Sequence, residues 1–165
     1  MRKARELRIG GLAPAYDFIM NPYPGLRLSK CPFCEHRTGQ LKVPLLIHID
    51  GAVPIALNYT CRYCRSCDLL VAHKHEVEHL LHGLFSQMNP EIIGNEYFVL
   101  GTVERRAWRA GLHRPQSAAE VLPQTHDFRR HFPELRMTCG GWFSRGQEPP
   151  VAEPPASREW FKKTR

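Results

Sequence analysis

The chain has 165 residues, 42% of them hydrophobic, with 14 prolines and 12 glycines. That is enough for one domain, or for a small metal-stapled domain with an appended unit, made of short elements and many turns. Net charge is +7 and the pI about 9.3, which suits an acidic partner. No apolar run approaches the ~20 residues that cross a bilayer, and no apolar leader segment follows the basic residues 1–8, so a cytoplasmic protein with no membrane partner is expected.

Residues 1–27 read as a lightly structured arm. Gly10-Gly11 and Asn21-Pro22-Tyr23-Pro24-Gly25 interrupt any long element, while Tyr16, Phe18, Ile19 and Met20 are placed to pack on the cysteine-bearing segment beyond residue 28. Cys31-Pro32-Phe33-Cys34 then makes a Cys-x-x-Cys turn. Val43 to Ile49 reads as a strand, Asp50-Gly51 as a turn, and Val53 to Tyr59 as a second strand, leading back to Cys61-Arg62-Tyr63-Cys64-Arg65-Ser66-Cys67. His48 alternates onto the outer face of the first strand.

Two such turns aim four thiolates at one point and close a tetrahedral shell, leaving no open position for chemistry. A cytoplasmic chain with this pattern is read as metal-binding rather than disulfide-linked. Cys31 and Cys34 supply the first pair. The second is Cys61/Cys64 or Cys64/Cys67, and the reading favours Cys64 and Cys67. Asp68 tolerates the positive φ that often follows such a turn better than Arg65 does, and Leu69 to Ala72 provide an immediate return strand. Cys61 is then a half-buried strand thiol, kept as the alternative ligand.

These motifs resemble the zinc ribbon, a rubredoxin-like hairpin fold, over roughly residues 28 to 73. The whole chain is similar to an uncharacterised group of bacterial zinc-ribbon proteins carrying the run Cys61 to Leu70. The resemblance implies one structural Zn2+ per chain and names no activity, because ribbons serve many partners.

Residues 73 to 89 read as an amphipathic helix with Val77, Leu80, Leu81, Leu84, Phe85 and Met88 on its apolar stripe. Asn89-Pro90 ends it. His75, His79 and His82 fall within roughly 60° of one another on the other side, a solvent-facing stripe or an accessory metal site. His75-Glu76-Val77-Glu78-His79 also matches the H-E-x-x-H pattern of zinc peptidases, whose Glu activates water. Glu78 departs from the uncharged residue usual there and no third ligand is evident, so a non-enzymatic role is favoured.

Beyond the helix, a strand (Glu96 to Val103), a short basic helix (Glu104 to Gly111) and a capping box at Ser117 to Glu120 are expected. The helix opened by that box is interruptible at Pro123, and Phe128 and Phe132 sit one turn apart. A closing strand over 135–138 pairs with residues 97–103, and Cys139 reads as a buried strand thiol. The organisation is then an arm (1–27), a ribbon plus amphipathic helix (28–89), a small α+β unit packed on it (90–146), and a Pro-rich linker with a basic tail (147–165). The fold class is α+β: a small zinc ribbon of antiparallel strands, a helix, and a strand–helix–helix–strand unit.

Charge is uneven. Arg37, Lys42, Arg62, Arg65 and Lys74 are cancelled by Glu35, Asp50, Asp68, Glu76 and Glu78 across residues 31–87, so the excess lies outside this segment. Arg105, Arg106 and Arg109 with Trp108, and Arg129 and Arg130 with Phe128, combine guanidinium and aromatic groups, which contact phosphates and stack on bases. The leading expectation is a structural-zinc module for nucleic acid, RNA above all, or a ribonucleoprotein. The alternative is a protein-docking or assembly adaptor.

Overall fold

The computed structural model describes residues 9–23, 25–114 and 116–132, with the backbone alone for Phe132. The strand expected over 135–138, Cys139, and the linker and tail at 147–165 lie outside these residues. Among the described residues the strands are β1 (Asp17–Asn21), β2 (Gly39–Ile49), β3 (Ile55–Cys64), β4 (Leu69–His73), β5 (Tyr97–Val103), β6 (Thr125–Asp127) and β7 (Arg130–Phe132). The helices are α1 (Lys74–Met88), α2 (Arg105–His113) and α3 (Ala118–Val121). The class is α+β, but the strands form one seven-stranded sheet in the order β6-β5-β2-β3-β4-β1-β7.

The two ends of that order are neighbours in sequence, since only Phe128 and Arg129 separate β6 from β7. Asp127 pairs with Gly101 of β5, while Arg130 pairs with Asp17 of β1. Leu12 and Ala15 donate their amides to the carbonyls of Thr125 and Asp127, and Arg129 donates to Tyr16. The sheet therefore curls until its edges meet along residues 125–132. Gly101 permits this, because a Cβ there would come within 2.0 Å of the His126 carbonyl oxygen.

This closure corrects three expectations. The lightly structured arm contains β1, which pairs in parallel with both β4 and β7. Residues 97–103 pair with β2 and β6, so the segment after α1 shares the sheet of the cysteine-bearing strands rather than forming a separate one. After α3, Leu122–Gln124 makes one 3-10 turn and residues 125–132 are extended rather than helical. Strand pairing on both sides of this segment outweighs the local pattern that reads as a helix.

Alternation along the strands divides the apolar residues among three clusters. Val43, Leu45, Ile47 and Ile49 of β2 point inward, to the face where Val77, Leu81 and Phe85 of α1 pack. Leu46 points outward, beneath Trp108 of α2. Leu70 and Ala72 of β4 join the inner core, whereas Leu69 and Val71 join Ile19 and two cysteines on the opposite face. Phe18 and Phe128 stack at 4.4 Å where the sheet closes, and His131 Nε2 donates to the Val99 carbonyl, 2.9 Å away.

Candidate metal centre

The first cysteine turn is held by its own backbone. Cys31 N–H donates to the His36 carbonyl and Glu35 N–H to the Cys31 carbonyl, at 2.8 and 2.9 Å. Phe33 N–H points at Cys31 Sγ, 3.4 Å away. The second turn joins the end of β3 to the start of β4. Asp68 takes φ 53 there, and Glu35 takes φ 63 at the equivalent place in the first turn. The Asp68 carboxylate accepts from Tyr63 Oη at 2.6 Å and from Arg129 at 2.8 Å, which fastens the turn to β3 and to the closing segment.

These turns bring together the sulfurs of Cys31, Cys34, Cys64 and Cys67, all within 4.8 Å of one another. Cys31 and Cys67 lie 3.9 Å apart, Cys34 and Cys64 3.4 Å. Four bonds of about 2.3 Å in a tetrahedron need sulfurs about 3.8 Å apart, so the four cysteines could hold a metal ion with small adjustments. Ile19, Leu28, Leu69 and Val71 form an apolar floor beneath them. Among the described residues no other group of three or more His, Cys, Asp or Glu donors comes this close.

The thiols differ in acidity. Burial pushes Cys31 up to about 11 and raises Cys67 as well. The His36 backbone N–H, with its ring 3.2 Å from the sulfur, draws Cys34 down to about 6. Of these three, Cys34 ionises most readily and provides a first anionic donor. Cys61 stands apart. It is fully buried in the inner core rather than half-buried, and burial holds its thiol far above the ordinary range.

A layer of support behind the sulfurs was not evident from sequence. The Arg62 guanidinium donates to Thr38 Oγ1 at 3.0 Å and to the Thr38 carbonyl at 2.7 Å. Thr38 in turn bonds the Leu28 carbonyl through Oγ1 and Ser29 through its amide. Arg62 thereby ties β3 to the strand entering from the first turn. The only sequence signal was its place between Cys61 and Cys64.

The histidines of α1 do not converge on a third metal ligand. His75 and His79 sit 5.9 Å apart, centroid to centroid, and His82 does not complete a three-donor group with them. Glu76 accepts a 2.5 Å hydrogen bond from Tyr59, so the carboxylate that a peptidase would aim at water is engaged with β3. Glu78, expected near a solvent-facing stripe, is fully buried. It is held by Lys74 at 2.5 Å and by Tyr97 Oη at 2.8 Å, because an α1 turn packed on the sheet carries it inward.

The two arginine groups have different roles. Arg129 is bound to Asp68 and Asp17, at 2.8 and 3.5 Å, and so holds the closure together. Arg130 is exposed on β7. Arg105 bonds the Lys42 carbonyl on β2, whereas Arg106 and Arg109 are exposed and join none of the ion pairs among the described residues. Beside α2 lies the outer face of the β2–β3 hairpin, where Gln40 faces Arg62, Lys42 faces Thr60 and Pro44 faces Asn58. This row contains no carboxylate. Tyr59, Cys61, Val43 and Leu45 turn to the other side.

No helix of the described residues is long and apolar enough to cross a membrane. Comparison of the chain with protein-family models, curated proteins and solved structures finds no match.

Proposed function

We propose that the chain is a zinc-stapled module that binds the phosphate backbone of RNA. The observation that carries this reading is the carboxylate-free row Gln40, Lys42, Asn58, Thr60 and Arg62, bordered by Arg105 at the start of α2. Lysine and arginine neutralise phosphates, and the amide and hydroxyl groups donate to phosphate and sugar oxygens. Arg106 and Arg109 extend the charge along the helix. Four thiolates at these spacings favour zinc, which has no preferred d-electron geometry and holds a closed S4 shell in structural sites. The metal's role is to fix the two turns from which β2 starts and at which β3 ends.

The test is binding of structured and single-stranded RNA at several salt concentrations, with elemental analysis of the same preparation. Binding should weaken as salt rises, with a log–log slope that falls by about one unit or slightly less for each phosphate contact removed. Lys42→Ala with Arg109→Ala should lower both affinity and slope; Arg130→Ala should change neither. Salt-insensitive binding, or no effect of the double substitution, overturns the reading. A protein-docking role is the second reading, carried by Leu80, Leu84 and Met88, which are 47%, 39% and 66% exposed along one side of α1.

A further inference from the structure

The described residues contain five solvent-shielded side-chain polar atoms without a hydrogen-bond partner, and three of them belong to a single turn of α1: His75 Nδ1, Glu78 Oε2 and His79 Nε2. Such atoms are uncommon in native proteins, and a group of them calls for a partner, which an ordered water or a bound ion supplies. The neighbouring polar groups are already spoken for. His73 Nδ1 is 3.1 Å from Asn21 Nδ2, Glu76 accepts from Tyr59, and the other Glu78 oxygen accepts from Tyr97 and Lys74.

We propose that His75 and His79 form a second, exchangeable site for an imidazole-preferring divalent metal ion, separate from the cysteine centre. Residues four apart on a helix lie on one face, one turn from each other. The two rings are 5.9 Å apart at 80° to one another, and each keeps a nitrogen free of competing hydrogen bonds. Paired histidines at this spacing suit zinc, copper, nickel or cobalt in that they offer two neutral nitrogen donors. Because no third protein donor converges with them, water that enters with the ion completes the shell, which requires the side chains shielding the two nitrogens to shift. The buried Glu78 carboxylate, on the same turn, favours a cation nearby without being a ligand. This site therefore binds more weakly than the cysteine centre and gains and loses metal without unfolding the chain.

The experiment uses the untagged full chain with the cysteine centre loaded with zinc, titrated with Co2+ and followed by calorimetry and visible absorption. One further equivalent should bind, with the weak visible bands of nitrogen and oxygen coordination and none of the intense charge-transfer absorption of thiolates. His75→Ala and His79→Ala should each weaken it at least tenfold and leave the cysteine-bound zinc in place, which also reports that the variants are folded. His113→Ala, on α2, should have no effect. Absence of a second equivalent in the unaltered chain overturns the proposal, as does a second equivalent that survives the double substitution. Loss of that equivalent in His82→Ala would overturn the two-histidine ligand set.

Discussion

The guanidinium of Arg62 grips Thr38 twice, at the hydroxyl and at the carbonyl. Thr38 lies four residues beyond Cys34, and Arg62 two residues before Cys64, so this pair fixes the distance between the two cysteine turns through β2 and β3. A fork of two donors on one residue sets direction as well as separation, which a single ammonium cannot do.

Replacing Arg62 with Met should therefore loosen the metal without touching a sulfur. Substitutions in the layer behind a metal typically lower affinity about 10- to 100-fold, and the same is expected here. Arg62→Lys should fall between Met and the native residue. Chelator competition measures the affinities; equal affinity for all three proteins would show that Arg62 has no part in positioning the cysteines.

Cys61→Ala and Cys67→Ser should separate a core thiol from a ligand. Cys61 is fully buried among apolar side chains, so its truncation should cost about 1 kcal/mol and leave metal content unchanged. Cys67→Ser should lose the metal and, with it, the order of both turns, since binding energy is also folding energy. Elemental analysis beside denaturant unfolding distinguishes the two.

Two glycines give opposite outcomes on substitution by Ala. Gly83 is exposed within α1 and a Cβ there meets nothing within 4 Å, so Gly83→Ala should stabilise the fold by about 0.5–1 kcal/mol. At Gly101 the same methyl would strike the β6 backbone, so Gly101→Ala should destabilise by about 2 kcal/mol or more. Thermal unfolding of both variants gives the signs directly.

His131 links stability to acidity. Burial lowers its pKa below 6.5, despite the Val99 carbonyl acting in the other direction. The folded chain thus favours neutral imidazole, whereas the unfolded chain takes up a proton more readily. The resulting stability is present above pH 6.5 and is lost as pH falls below that value towards the folded pKa. His131→Gln, with an amide in reach of the same carbonyl, should flatten unfolding free energy against pH between 7 and 5. The cysteine cluster is common to both proteins, so their difference isolates this side chain.

The cysteine turns were legible because their chemistry is local. Spacing named Cys31, Cys34 and Cys64 and left Cys61 against Cys67 open, and the positive φ foreseeable at Asp68 from its residue type favoured Cys67. The apolar stripe of α1 was legible in kind but too broad: Val77, Leu81 and Phe85 are buried, while Leu80, Leu84 and Met88 are not. The closure of the sheet could not be read. Residues 125–132 carry little strand periodicity of their own and become extended because β5 and β1 offer backbone partners on either side. The inward turn of Glu78 was hidden for a related reason, since its partner Tyr97 is 19 residues away.

The meeting of residues 12–19 with residues 125–132 also orders events during folding. The cysteine site joins Cys31 and Cys67 across a sequence separation of 36, and β2 meets β3 through one short turn. The last seam must bring Asp17 to Arg130, across most of the described chain. Loop-closure entropy rises with length and non-local pairing slows folding, so the cysteine-bearing hairpin has the shorter search and the seam the longer one. During synthesis, β1 emerges before β7, its parallel neighbour, and must wait until residues 130–132 have left the ribosome.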